Sequence, residues 1–388
     1  MQYSDSILNT PSSFIRNILK VTDAEDVISF AGGLPNPISF PMEEIKESVN
    51  RSIKESGAKL FQYSTTQGYL PLRQYIADKI NRKNPGLDYK AEDVFITTGS
   101  QQALELISKV LLNKGDGVII EEPGYLGAIQ AFTMRQPNFY GVALEEAGMN
   151  PEGLKEALKQ PNVKMVYTVP NFQNPTGLTY TKERREEIYD IVKDEDVIFV
   201  EDDPYGELRF TGESLPYIAA GKMTNSVVLG SFSKTVTPGM RLGYILTKNH
   251  ELLNHIETAK QASDLHTNIF AQYVLHDYLT NNEYDAHVQK IIALYKAQAD
   301  AMLAAMDKYF PAHVKYTKPE GGMFIWVTMP EGTSALEKFH EAMEKKVAFV
   351  PGDPFYTTGK AVNTMRLNYT NATPEVIEEG IKRLAEIL

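Results

Sequence analysis

The sequence predicts an α/β protein with a large domain built on a mostly parallel seven-stranded sheet between helices, plus a smaller α+β domain. Two observations carry that expectation. Between about residues 93 and 247, short apolar β-type runs alternate with longer polar or amphipathic stretches. After about residue 250 the pattern changes to long helical segments and then to apolar runs near the C-terminus. On this reading the large domain spans 48–281, while 1–47 and 282–388 form an N-terminal arm and the small domain.

The seven runs are DVFITT, GVIIEE, NFYGVAL, KMVYTVP, DVIFVEDD, SVVLGSF and RLGYILT. Between the first two, SQQALELISKVLL places Ala103, Leu104, Ile107, Val110 and Leu111 at helical spacing, with Ser100 as the expected N-cap. Further on, LLNHIETAKQAS and the stretch from Ile292 through AMLAAMDKYF read as helices, and GGMFIWV, KVAFV and TMRLNY as strands.

Composition removes several function classes. At 388 residues the chain has room for about two to three domains of ordinary size. A net charge of -11 argues against a nucleic-acid surface. With no cysteine there can be no disulfide, thiol nucleophile or zinc-thiolate site, which suits a reducing cytoplasm. The start MQYSDSILNT lacks the pattern of a signal peptide, and no apolar stretch approaches the ~20 residues of a membrane span, so a soluble cytoplasmic protein is expected. All seven histidines lie between His250 and His340 without a paired-ligand spacing, so no metal site is expected.

Ligands of open α/β sheets bind beyond the carboxyl ends of the strands. There the sequence places TTGSQQ, VPNFQNPTG, EDDPYGE and SFSKT. Gly99, Ser100 and Gln101 open a helix, where free N–H groups suit a phosphate, although taken alone they read first as a plain N-cap. Neither GxxxxGK[ST] nor GxGxxG occurs, so a nucleoside triphosphate or a dinucleotide is not indicated. Asp202 alone reads as a turn residue. Together with Tyr205 and Lys234 it matches the needs of pyridoxal 5'-phosphate: an amine to bind its aldehyde, an acid for its ring nitrogen and donors for its ring oxygen.

The segment SFSKTVTPGMRLGY resembles the cofactor-lysine motif of fold-type I pyridoxal-phosphate aminotransferases, and VPNFQNPTG, EDDPYGELRF and NTMRLNY match other signatures of that family in order. With AGGLPNP, YSTTQGYLPLR and GGMFIWV the resemblance covers nearly the whole chain, and it is nearest to the aminoadipate, kynurenine and aromatic branch. It implies that Lys234 carries the cofactor as a Schiff base and that Asp202 pairs with the ring nitrogen. It also implies that Tyr205 and Asn174 hydrogen-bond the ring oxygen and that Tyr125 stacks on the ring. Ser100, Gln101, Ser231, Ser233 and Arg241 would hold the phosphate, with Tyr63 reaching it from a partner subunit of a homodimer. Gly33, Asn174 and Arg366 would receive the substrate carboxylate, and Arg16 on the N-terminal arm would either pair with a distal carboxylate or rotate out to admit an apolar side chain, a solvated helix arginine being the plain alternative.

The implied reaction moves an amino group from an L-amino acid to a 2-oxo acid, 2-oxoglutarate being the expected acceptor. A lyase or synthase of the same fold uses the same lysine and aspartate. A ligand-sensing module without activity is the third alternative.

Overall fold

The computed structural model describes residues 1–11, 18, 26–359 and 363–388. All seven expected runs are strands of one sheet, which also holds an eighth, the two-residue antiparallel edge strand Gly148–Met149. Across the sheet the strands follow the order of first residues 94, 243, 226, 198, 163, 117, 138 and 148. The five strands from 226 to 138 run parallel, and Gly243–Leu246 is antiparallel to both its neighbours.

Both faces of this sheet are covered, as expected of a parallel sheet. In Gly117–Glu122, Val118 and Ile120 join one apolar cluster and Ile119 another; in Ile198–Asp202, Val200 and Phe199 divide the same way. Because side chains alternate along a strand, each buried strand feeds two cores. The first cluster continues through Met323, Phe324 and Trp326 into a four-stranded antiparallel sheet, ordered by first residue 315, 324, 364 and 350. Arg366 sits on its interior strand Thr364–Asn368, opposite Trp326 and Val350.

Near the N-terminus, Ile28–Ser29 pairs parallel with Val347–Ala348, and Phe30 donates its N–H to Ala348 O at 2.8 Å. Asn368 N–H in turn reaches Phe30 O at 2.9 Å. This lacing brings the Ala31–Gly33 stretch beside Arg366.

Two local expectations need correction. Ser100 is the first residue of the helix Ser100–Leu111, not its cap; Gly99 is the cap, at φ 74° and ψ 168°. That region is open essentially to glycine alone, and a Cβ on Gly99 would lie 2.8 Å from Arg241 Nη2. The backbone turn, not a side-chain cap, therefore starts this helix. The long helix expected from Ile292 begins earlier, spanning Tyr284–Tyr309. Tyr284, Val288 and Ile291 are all buried, so its first two turns already pack against the body of the protein.

Candidate active site

The parallel strands end together, so Glu121, Thr168, Asp202 and Ser231 come to one edge of the sheet. Beyond that edge lies a cavity of about 760 Å³, lined by both the large sheet's loops and the C-terminal part of the chain. Twelve of the residues implied by the sequence line it. From the large sheet come Ser100, Gln101, Tyr125, Asn174, Asp202, Tyr205, Ser231, Ser233, Lys234 and Arg241; Gly33 and Arg366 enter from the other side. Tyr63 does not line it: the residue is 80% exposed, with its ring edge-on to His266. Arg16 lies outside the described residues.

Burial dominates the electrostatics. Lys234 donates to Gly33 O at 2.9 Å, and its pKa is lowered to about 8 by desolvation first and by the Arg366 and Arg241 charges second. Asp202 is pushed up to about 7, again mainly by burial, while a hydrogen bond from Tyr167 OH to its Oδ2 at 2.7 Å pulls the other way. Its Oδ1 is buried and accepts no hydrogen bond among the described residues.

Arg366 is 1% exposed, and burial lowers its pKa to about 10. It donates to Asn174 Oδ1 at 2.9 Å and to Ala31 O at 2.8 Å, and its guanidinium stacks 4.5 Å from the Phe324 ring. Among the described residues no carboxylate pairs with it. A buried charge without a counter-charge is costly, and the fork geometry suits an incoming carboxylate. Asn174 also donates to Tyr205 OH at 3.3 Å, so one amide links the arginine to the phenol.

Opposite, the Ser100–Leu111 N-terminus carries free N–H groups beside Arg241, whose Nη2 contacts Thr98 O at 3.4 Å. Arg241 itself adopts a left-handed backbone, φ 54° and ψ 48°. An L-residue held there is strained, which fits a side chain aimed at a ligand. Amine, buried acid, phenol and an anion cup thus face one cavity. The orphaned Asp202 Oδ1 fits pyridoxal phosphate, whose cationic ring nitrogen would give it a partner.

Sequence reasoning missed three contributors. Tyr167 is the donor to Asp202; in register it sits opposite Val200, two residues before Asp202, and so on the same face. Glu121, pushed up to about 7 by burial, accepts from Val169 N–H, Tyr180 OH and Gln173 Nε2 and so pins the loop that carries Asn174. A tyrosine in an otherwise apolar strand needs a buried partner, and that signal was readable for Tyr167. The third is the cavity wall of Leu34, Leu126, Ile129 and Pro354, which only the folded chain assembles.

Comparison with known proteins identifies the family. Residues 26–384 match the family described as Aminotransferase class I and II, and the chain belongs to that family. It is 43% identical to an aromatic-amino-acid aminotransferase of Thermococcus litoralis over all of this chain and 94% of that one. It also superposes on Pyrococcus horikoshii kynurenine aminotransferase, solved with PMP and kynurenine, at TM-score 0.94 and 42% identity, covering 99% and 96% of the two chains. A third likeness is to the alpha-aminoadipate aminotransferase of Thermus thermophilus, solved with N-(5'-phosphopyridoxyl)-L-leucine, at TM-score 0.91 and 39% identity, covering 99% and 96%. The protein is a pyridoxal-phosphate-dependent aminotransferase, exchanging an amino group between an amino acid and a 2-oxo acid. Among the described residues no helix is long and apolar enough to cross a membrane.

Tyr167→Phe gives a test with a defined sign. The folded pKa of Asp202, about 7, lies above its ordinary value of 3.8, so this group's penalty on folding grows as pH climbs between them. Deleting the hydrogen bond raises the folded pKa further, and the penalty then keeps growing above 7. Urea unfolding of cofactor-free protein should show a loss of ~1–3 kcal/mol, larger at pH 8 than at pH 6. Equal losses at both pH values would mean that Tyr167 does not support the ionised carboxylate.

Proposed function

We propose that Lys234 attaches pyridoxal phosphate and that Asp202 holds the positive charge on its ring nitrogen; the observation that carries this is the unpartnered, buried Asp202 Oδ1 in the cavity that also receives Lys234. Asn174 and Tyr205 lie where they can donate to the ring oxygen, and Tyr125 offers a ring face. Ser100, Gln101, Ser231, Ser233 and Arg241 form the phosphate cup. When bound, the cofactor supplies a carbonyl carbon for the amino group and a sink for the electrons left on the substrate α-carbon.

The remaining work falls to the chain's own groups. Lys234 Nζ, with its lowered pKa, is neutral in a useful fraction near neutral pH and can take and return a proton at the substrate α-carbon. Arg366 orients the substrate by its α-carboxylate, with Asn174 and the Gly33 backbone alongside. Leu34, Leu126, Ile129 and Pro354 make an apolar wall that favours aromatic or large aliphatic donors. With 2-oxoglutarate as the acceptor, Arg16 is our choice of partner for its distal carboxylate.

We further propose a cytoplasmic homodimer, without a nucleic-acid or membrane partner, whose active sites are shared through Tyr63. Its support is a set of exposed apolar groups on one end of the chain, including Ile38, Met42, Phe61 and Tyr63. Large apolar side chains left exposed in one protomer can be covered by a partner subunit.

Borohydride reduction should fix one cofactor per chain on the peptide containing Lys234. Capture of pyridoxal phosphate by cofactor-free protein should accelerate with pH and level off above about 8, since the neutral amine reacts and this lysine's pKa is lowered from 10.5. Label on another lysine, or a rate still climbing towards pH 10, contradicts the assignment. For the dimer, mixing Lys234→Ala and Tyr63→Phe chains should restore activity by making one intact site per heterodimer. No gain after demonstrated subunit exchange would rule out a shared site.

A further inference from the structure

Glu122 has no part in the chemistry proposed above, yet its surroundings are built around it. It ends the strand Gly117–Glu122, three residues before Tyr125. Its Oε1 accepts three hydrogen bonds from one distant segment: Thr357 N–H at 2.8 Å, Thr357 Oγ1 at 2.6 Å and Thr358 N–H at 3.0 Å. Thr358 Oγ1 reaches the other oxygen, Oε2, at 3.5 Å, and a further bond crosses the same seam in the opposite sense, from Gly124 N–H to Phe355 O at 2.8 Å. On the neighbouring strand, a Cβ on Gly141 would fall 2.2 Å from Glu122 Cδ, so the side chain occupies space that only a glycine leaves open.

The segment held in this way matters to the cavity. Pro354 lines the cavity, and the Phe355 ring lies 5.5 Å from the Arg366 guanidinium and packs edge-on against Trp326. One carboxylate therefore joins the turn bearing Tyr125 to the chain that forms the apolar wall and backs the buried arginine. Hydrogen bonds to an ionised acceptor are roughly twice as strong as neutral ones, and three converge here on a single oxygen.

We propose that Glu122 is a positioning residue for substrate binding, a latch that fixes the 353–358 segment and with it the Pro354 wall and the support of Arg366. The latch sets how well the amino acid is held and leaves the proton transfer at Lys234 untouched. The substrate half of this proposal rests on Arg366 receiving the carboxylate; the mechanical half does not.

The test uses cofactor-loaded protein and two readouts. Hydrogen exchange followed by mass spectrometry should show the 353–358 amides exchanging at least about tenfold faster in Glu122→Ala, a change of ~1.4 kcal/mol. In Glu122→Gln, which keeps an acceptor oxygen, the same amides should stay within about threefold of the parent. KM for an aromatic donor should rise about tenfold in Glu122→Ala while kcat stays within about threefold. Thr357→Val, which removes one of the three donors from the other side, should shift both readouts in the same direction by about threefold, and it carries the test if Glu122→Ala does not fold.

Unchanged exchange in both variants would overturn the proposal, as would a fall in kcat or cofactor content with KM unmoved. Faster exchange with an unmoved KM would overturn it as a statement about substrate. Arg366→Lys measured in parallel separates that failure from a wrong assignment of Arg366, which would leave KM unmoved in this variant as well.

Discussion

The Asp202 carboxyl, buried at the end of a parallel strand with one oxygen bonded by Tyr167 and the other bonded by nothing among the described residues, is the constraint on which the site depends. A group in that state raises the energy of the folded chain unless a cation meets it. Burial beside Arg366 and Arg241 lowers the Lys234 pKa as well, to about 8, so that amine is a weakened counter-ion for the acid. The pair is thus poised in opposite directions, each group shifted towards neutrality by the same dry cavity, and on our proposal a cationic heterocycle would satisfy the acid while the amine stays reactive.

The fold makes this arrangement inexpensive to assemble. Parallel strands deliver Glu121, Thr168, Asp202 and Ser231 to one edge, each paired in register with one neighbouring strand. The antiparallel sheet of the C-terminal part supplies Arg366 from an interior strand, where its neighbours Phe324 and Phe355 exclude water. Catalytic and binding groups on strands and helix starts are held more rigidly than groups on free loops. What the fold leaves to loops, the Asn174 segment and the 353–358 segment, is tied down by two adjacent carboxylates, Glu121 and Glu122, working in opposite directions from one strand end.

Much of this was legible in the sequence because apolar strand runs and the polar clusters that follow them are local patterns. SVVLG before Ser231 and Lys234, and VIFV before Asp202, place chemistry at strand ends without any knowledge of partners. The features that escaped are those decided by backbone shape or by distant neighbours. Gly148–Met149 is too short to show a period, and it pairs only because Leu144 and Glu145 turn back upon it. Ser100 has the chemistry of a cap, but the cap position is set by the φ of Gly99 and the closeness of Arg241. Glu122 and Thr357 lie 235 residues apart, a separation at which no sequence pattern signals contact.

The claim at the centre is that Asp202 acts through its charge. Asp202→Asn preserves shape and keeps a group for Tyr167 to meet, so the measurement is the single-turnover rate of amino-group transfer from an aromatic amino acid in cofactor-loaded protein. Removing one partner of a buried charge pair costs ~3–5 kcal/mol, which predicts a fall of at least about a hundredfold with the cofactor still bound and the fold intact. A rate within about threefold of the parent protein would contradict the account and reduce Asp202 to a structural residue at the end of its strand.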